Sequence, residues 1–174
     1  MMDSRTLPIA SDNTRFFPRI QATAQRREDQ RGWLQVLYES DASVLKRSFS
    51  VKGAFRGLHW QDATAPQVKV IRVVTGAIID FVVDMNDPTR TIHHDKIVPE
   101  DGWVRINAHL AHGLYALEET LFEYFCDGGY DEGSELTFAI TEHIKAVLGV
   151  DTVILSPKDL ASPPLHPVRT AQTD

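Results

Sequence analysis

Apolar residues along this chain come in short runs separated by turn chemistry, and most of the runs are rich in β-branched side chains. Residues 68–74 read Val-Lys-Val-Ile-Arg-Val-Val and are punctuated by Thr75-Gly76. Residues 77–84 read Ala-Ile-Ile-Asp-Phe-Val-Val-Asp and end at the turn-forming Asn86-Asp87-Pro88. Branched side chains fit a pleated surface, and Gly, Asn, Asp and Pro supply the turns between strands. The same reading predicts strands over residues 33–38, 43–51, 54–60, 93–98, 103–106, 113–116 and 121–126. Many short strands with regular turns predict a sandwich or a closed barrel. One late helix is expected, with Thr141 as its cap, Ile144, Val147 and Leu148 on one face, and Gly149 as its stop. Side chains two apart on a strand share a face. Arg56 and Leu58 therefore share one face of their strand, and Phe55, Gly57 and His59 the other. A bulge at Gly57 would instead turn Arg56 and His59 to the same side. The sequence does not choose between these two.

Length and composition narrow the picture. A chain of 174 residues suits one domain, and a domain of that size buries about two-thirds of its unfolded surface without needing a disulfide or a structural metal. Residues 1–14 are polar and aperiodic and are expected to form a loose arm. Residues 15–160 are expected to form the domain. Residues 161–174, with Pro163, Pro164 and Pro167, are expected to be an irregular tail. Cys126 is the single cysteine, which excludes an internal disulfide and fits a reducing cytoplasm. Eighteen Lys and Arg against 24 Asp and Glu leave a net charge of −6, which argues against nucleic-acid binding. No stretch approaches the roughly 18 apolar residues of a membrane span, and residues 1–15 lack the apolar core of a signal peptide. The expectation is a soluble cytoplasmic protein.

The most informative segment is Lys52-Gly53, then Arg56-Gly57-Leu58-His59, then Gln61. It resembles the signature stretch of the dTDP-4-dehydrorhamnose 3,5-epimerase family. The likeness continues in order through Lys69 to Gly76, Asp80 to Asp84, and Ile106 with Ala111-His112-Gly113. Tyr124 and Tyr130 match two spaced aromatics, and Ser156-Pro157-Lys158-Asp159 resembles a late SxKD element. The match covers roughly residues 29 to 165. The resemblance implies an all-β, cupin-like jelly roll, a double-stranded β-helix with a few short helices. It also implies a homodimer acting on a nucleotide sugar, with no cofactor.

The implied reaction asks for these residue types. Epimerising a carbon beside a ketone requires removal of a proton, support of an enolate, and return of a proton to the other face. The base needs a proton affinity near neutrality, which points to histidine. Alone, a strand histidine is usually structural, but His59 matches the base of the family. Asp159, which by itself would read as a surface carboxylate, matches the partner that fixes the imidazole. Lys69 matches a cation placed to stabilise the enolate oxygen. Tyr124, otherwise a core aromatic, matches the donor on the opposite face. Arg56 and His112 match residues that grip the diphosphate, a task suited to the guanidinium fork of arginine. Arg31, within Asp29-Gln30-Arg31-Gly32, matches a further substrate contact, and Tyr130 matches a stacking platform for the base. Gln61 belongs to the signature and is expected to bind substrate as well.

Several family positions are changed. Val36 stands for a glutamate, Val44-Leu45-Lys46 for a Gln-x-Asn element, Asn107 and His109 for a proline and a glycine, and Leu136-Thr137-Phe138 for tryptophans. The changes cluster on nucleotide recognition and spare the proton-transfer set, so base or sugar selectivity is expected to differ. Lys46 is a candidate phosphate contact. The strand that would carry the usual cupin His-x-His ligand pair reads Leu58-His59-Trp60-Gln61, so no metal site is expected. Three other readings stay open. They are a sugar-nucleotide 3,4-ketoisomerase, a silent cupin that binds a sugar nucleotide, and a metal-dependent cupin oxygenase.

Overall fold

The computed structural model describes residues 26–166. Eleven strands form two antiparallel sheets: β1 (Arg26–Asp29), β2 (Gly32–Glu39), β3 (Ser43–Ser50), β4 (Phe55–Gln61), β5 (Val68–Thr75), β6 (Ile78–Asp84), β7 (Ile92–Ile97), β8 (Val104–Ile106), β9 (Leu110–Ala116), β10 (Thr120–Asp127) and β11 (Glu135–Thr137). One sheet runs β1-β2-β3-β10-β5-β8 and the other β11-β4-β9-β6-β7. Two short helices follow, α1 (Thr141–Leu148) and α2 (Pro157–Leu160). This is the expected jelly roll. All nine expected strands form, and two more appear that carry no apolar signal. β1 reads Arg-Arg-Glu-Asp and is exposed throughout, and β11 is three residues long at a sheet edge.

The strands divide their side chains between three layers. Ile71 and Val73 of β5, Phe122 of β10, Ile78 of β6 and Leu114 of β9 pack between the sheets. The reverse face of the five-stranded sheet buries Phe55, Phe81, Val83 and Tyr115 beneath Ile140 and Ile144 of the α1 segment. Ile144 is fully buried, which is worth about 1.5–3 kcal/mol of hydrophobic stabilisation. Among the described residues, no helix or further sheet covers the reverse face of the six-stranded sheet. There Leu45, Phe49, Val70, Val74, Leu121 and Phe125 remain half-buried around Glu123, which is held between Arg47 and Arg72.

The helix starts one residue earlier than the sequence suggests. Ile140 is the N-cap, without a side-chain hydrogen bond, and Thr141 is the first helical residue. Burial of Ile140 in the core fixes the helix start, and the Thr141 hydroxyl has no capping role. Val147 is exposed and does not share the buried face of Ile144. Gly149 ends the helix in the left-handed region, as expected, its N–H donating to the carbonyl of Lys145. The described part of the tail lies along the 137–139 segment, where Ala139 N–H donates to the carbonyl of Pro163 at 2.8 Å. The expected arm over residues 1–14 lies outside the described residues, as does the tail beyond residue 166.

Candidate active site

The site begins with an irregularity in β4. β4 and β9 lose regular register between Arg56 and His59, and Gly57 sits there at φ +127°. The shift resolves the ambiguity left by the sequence. Arg56 and His59, three residues apart, line the same cavity. Gly57 also lets the two strands meet, because a Cβ there would lie 2.6 Å from Gly113 Cα and 2.7 Å from the His112 carbonyl oxygen.

Two connected spaces open from this point. An inner cavity of about 80 Å³ is lined by Arg56, His59, Lys69, Ile71, His112, Leu114, Phe122 and Tyr124. An outer cleft of about 490 Å³ shares Arg56, His59 and Tyr124 with it and adds Arg31, Val36, Lys46, Tyr130, Glu135 and Lys158 among its walls. β4, β5, β9 and β10 thus bring His59, Lys69, His112 and Tyr124 from separate parts of the chain into one enclosure.

His59 is oriented from outside the barrel. Its Nε2 pairs with Asp159 Oδ1 at 2.8 Å. With Nε2–H donated to the carboxylate, Nδ1 is left as the basic nitrogen. Asp159 is placed by a compact local device. Ser156 caps α2 by accepting the Asp159 N–H at 3.0 Å, and Pro157 opens the helix without needing a donor of its own. Burial pushes the Asp159 carboxyl up, but the bond and charge of His59, the charge of Arg31 and the Ser156 bond outweigh it and hold it below its usual range. It is an anion, 2% exposed, facing an imidazole.

The opposite wall is apolar around two polar ends. Burial lifts the Tyr124 phenol well above its ordinary value, so it stays protonated and suited to donate. Burial pulls the Lys69 ammonium down, so a negative charge arriving beside it relieves its desolvation. Among the described residues no hydrogen bond ties up either group. Arg56 stands where the two spaces meet, its Nε donating to Ser50 Oγ at 2.9 Å and its Nη2 to the Phe49 carbonyl at 3.1 Å.

Lys46 reaches into the outer cleft, its Nζ 5.5 Å from the Tyr124 ring and 5.8 Å from the Tyr130 ring. Tyr130 is half exposed at the mouth and donates to Glu135 Oε2 at 3.1 Å; Glu135 also pairs with Lys158. Val36 and Val44, two of the changed family positions, line the same cleft and give its wall an apolar stretch.

Three of the expected substrate contacts have partners within the protein. Gln61 lines neither space. It is 5% exposed and ties a loop, donating to the carbonyls of Ala65 at 2.7 Å and Gly129 at 3.2 Å. Its place at the end of β4 points it at that loop. His112 lines the inner cavity and not the outer cleft, with Nε2 2.6 Å from Asp80 Oδ1. Arg31 lines the outer cleft, but three of its N–H groups are already given to Asp29 and Asp159. Residues the sequence did not single out include Asp29, Asp80, Glu135 and Lys158. Asp80 and the Glu135–Lys158 pair are brought in by tertiary pairings that no local pattern signals, and Asp29 by a turn contact with Arg31 two residues on. Among the described residues no three His, Cys, Asp or Glu side chains gather as a metal-binding group, and no helix is long and apolar enough to cross a membrane.

Comparison with known proteins places this geometry. Residues 19–167 match the sequence model of the dTDP-4-dehydrorhamnose 3,5-epimerase family. The chain is similar to the dTDP-4-dehydrorhamnose 3,5-epimerase of Mycobacterium tuberculosis (strain ATCC 25618 / H37Rv), at 29% identity over 143 residues, 75% of this chain and 69% of the relative. It is also similar to a dTDP-4-dehydrorhamnose 3-epimerase of Streptomyces niveus, at 29% identity over 161 residues, 79% of this chain and 74% of the relative. Among solved structures, the Bacillus anthracis str. Ames dTDP-4-dehydrorhamnose 3,5-epimerase with TDP and PPi bound superposes with a TM-score of 0.63. That pair is 26% identical, over 81% of this chain and 90% of the other.

Proposed function

The chain belongs to the dTDP-4-dehydrorhamnose 3,5-epimerase family, and on that premise we propose that His59, Lys69 and Tyr124 epimerise a nucleoside-diphosphate 4-keto-6-deoxy sugar. The enzyme is an isomerase that inverts carbon 3, carbon 5 or both. One observation carries the assignment of roles: a carboxylate-held imidazole, a desolvated ammonium and a phenol kept protonated by burial line a single cavity.

The sugar occupies the inner cavity and the nucleotide the outer cleft. His59, neutral and held by Asp159, removes the proton from the carbon next to the ketone. The electron pair moves onto the ketone oxygen, where Lys69 supports it. Tyr124 returns a proton from the other face, and its phenolate is then held near Arg56 and Lys69 until it is reprotonated. No step in this sequence needs a metal. Arg56 and Lys46 are the cations placed for the diphosphate, and Tyr130 offers a ring to the base. The apolar wall at Val36 and Val44 supports a base selectivity different from that of thymidine-binding relatives. Screening dTDP, UDP, GDP and CDP by thermal shift reads that selectivity, since the tighter ligand raises the apparent stability more.

The working form in this reading is a homodimer. The apolar outer face of the six-stranded sheet supports it, as does the edge position of β1. A cytoplasmic place in nucleotide-sugar supply for surface polysaccharide fits a substrate activated by a nucleoside diphosphate.

The test uses dTDP-4-keto-6-deoxyglucose in deuterated water, with NMR of the product. The protein should place deuterium at carbon 3, carbon 5 or both, and His59→Asn should place none. Full uptake by His59→Asn refutes the assignment of the base. Movement of the keto group refutes epimerisation in favour of ketoisomerisation. Tight nucleotide-sugar binding with no exchange at all favours a silent binding protein.

A further inference from the structure

The turn between β1 and β2 carries a charged chain that ends in the active site. Asp29 accepts from the Arg31 backbone N–H at 2.8 Å, from its Nε at 3.1 Å and from its Nη2 at 2.7 Å. Those bonds fix the arginine rotamer and leave Nη1 to donate to Asp159 Oδ2 at 2.6 Å. The other oxygen of Asp159 meets His59. The turn is anchored to the same segment a second time, because Gln30 donates to the Leu155 carbonyl. It is anchored just past the end of β3 as well, because the Arg31 carbonyl accepts from Val51 N–H at 2.8 Å. The Arg31 side chain is 12% exposed and that of Asp159 is 1% exposed, so solvent screens the pair weakly.

A carboxylate facing an imidazole stabilises the imidazolium and orients the ring. A guanidinium on the far oxygen of that carboxylate spends part of its charge. We propose that Arg31, locked by Asp29, is a positioning residue for the epimerisation: it aims Asp159 at His59 and shares the charge of that carboxylate, so that the imidazole is held in the orientation that abstracts the proton. This role rests on the epimerase reading above and differs from the substrate contact expected of Arg31. The other charged or titratable groups lining the spaces that His59 faces are Arg56 on its own strand, Lys69 on β5, His112 on β9, Tyr124 on β10, Glu135 on β11 and Lys158 on α2, with Lys46 on β3, Tyr130 after β10, Glu39 on β2 and Arg27, Glu28 and Asp29 on β1 farther along the cleft wall. Substitution of Arg31 leaves all of them in place.

The experiment compares the full chain with Arg31→Gln, Arg31→Lys and Asp29→Asn. Three quantities are read: the His59 titration by NMR of the imidazole, the pH profile of kcat/KM, and dTDP affinity by calorimetry. Arg31→Gln should move the imidazole titration upward relative to the parent, since removal of a nearby cation favours the charged imidazole. The acid limb of kcat/KM should move up by the same amount, while dTDP affinity changes less than about threefold. Arg31→Lys should restore most of the shift, and Asp29→Asn, which frees the rotamer, should give part of it. An unmoved His59 titration with a tenfold or greater loss of dTDP binding overturns the proposal and returns Arg31 to substrate binding. If the epimerase reading itself fails, turnover is absent in every form, yet the NMR titration still reads the Arg31–Asp159–His59 coupling. If Arg31→Gln does not fold, Arg31→Lys and Asp29→Asn decide, and no shift in either overturns the proposal.

Discussion

Gly57→Ala tests the claim that one backbone irregularity builds the site. The new Cβ would stand 2.6 Å from Gly113 Cα and 2.7 Å from the His112 carbonyl oxygen, both main-chain atoms of a paired strand. No side chain can swing away to relieve that contact. The position also holds φ at +127°, where an L-residue is strained by about 1–3 kcal/mol. Forcing β4 from β9 adds about 1–3 kcal/mol of overpacking. The lost flexibility of the unfolded chain offsets about 0.4–1 kcal/mol. The net destabilisation is therefore about 1–6 kcal/mol, centred on roughly 3, or on the order of 10 °C in Tm for a chain of this length. The active site should suffer more than the fold. Arg56 and His59 flank the glycine, and misplacement by about 1 Å costs on the order of a hundredfold in rate. Gly149→Ala is the control, because that glycine lies in the left-handed region at φ +64° and ψ +35° with nothing within 4 Å of its Cβ position. It should cost only about 1 kcal/mol and leave activity intact. Thermal denaturation followed by circular dichroism, with the deuterium-exchange assay, reads both effects. If Gly57→Ala melts within 2 °C of the parent and keeps kcat within about twofold, against the strain and overpacking expected above, then the close approach of β4 to β9 is not what places Arg56 and His59.

Lys69→Met should lower kcat by about 10²–10³ with little change in KM, because its charge matters most when the enolate forms; steady-state kinetics check this. Tyr124→Phe should retain solvent exchange catalysed by His59 while net epimerisation falls by about 10²–10⁴, a separation visible by NMR. Gln61→Ala should leave KM within about threefold but cost about 1–3 kcal/mol of stability, because the Asp131 N–H that its side-chain oxygen accepts loses its partner. Burial pushes the Glu123 carboxyl up, and the bonds and charges of Arg47 and Arg72 outweigh it, so its pKa is depressed on folding. Its stabilising contribution is present above the ordinary carboxylate value of about 4.3 and is lost as pH falls through the lower folded value. Glu123→Gln should therefore flatten the fall in Tm between about pH 5 and pH 3.

The sequence by itself determined the strands whose inward faces are apolar. Residues 68–74 and 77–84 carry enough branched side chains that burying them leaves little choice but a paired strand, and both form. It also held the ingredients of the site, because Arg56-Gly57-Leu58-His59 and Ser156-Pro157-Lys158-Asp159 are local patterns with local consequences, a bulge and a capped turn of helix. β1 escaped notice because four charged residues have no burial to advertise, and their pairing is set by β2 alone. Tertiary structure decided which charges meet. The 100 residues between His59 and Asp159, and the 128 between Arg31 and Asp159, are closed by strand order, which no periodicity encodes. The same strand order turned the Gln61 side chain toward the Ala65 and Gly129 carbonyls and joined His112 to Asp80, pairings that their neighbours in sequence do not signal. Hydrophobic patterning reports the face a residue turns to the core. The partner that a polar group finds there depends on how distant strands are registered, and that becomes fixed only when the sheets close.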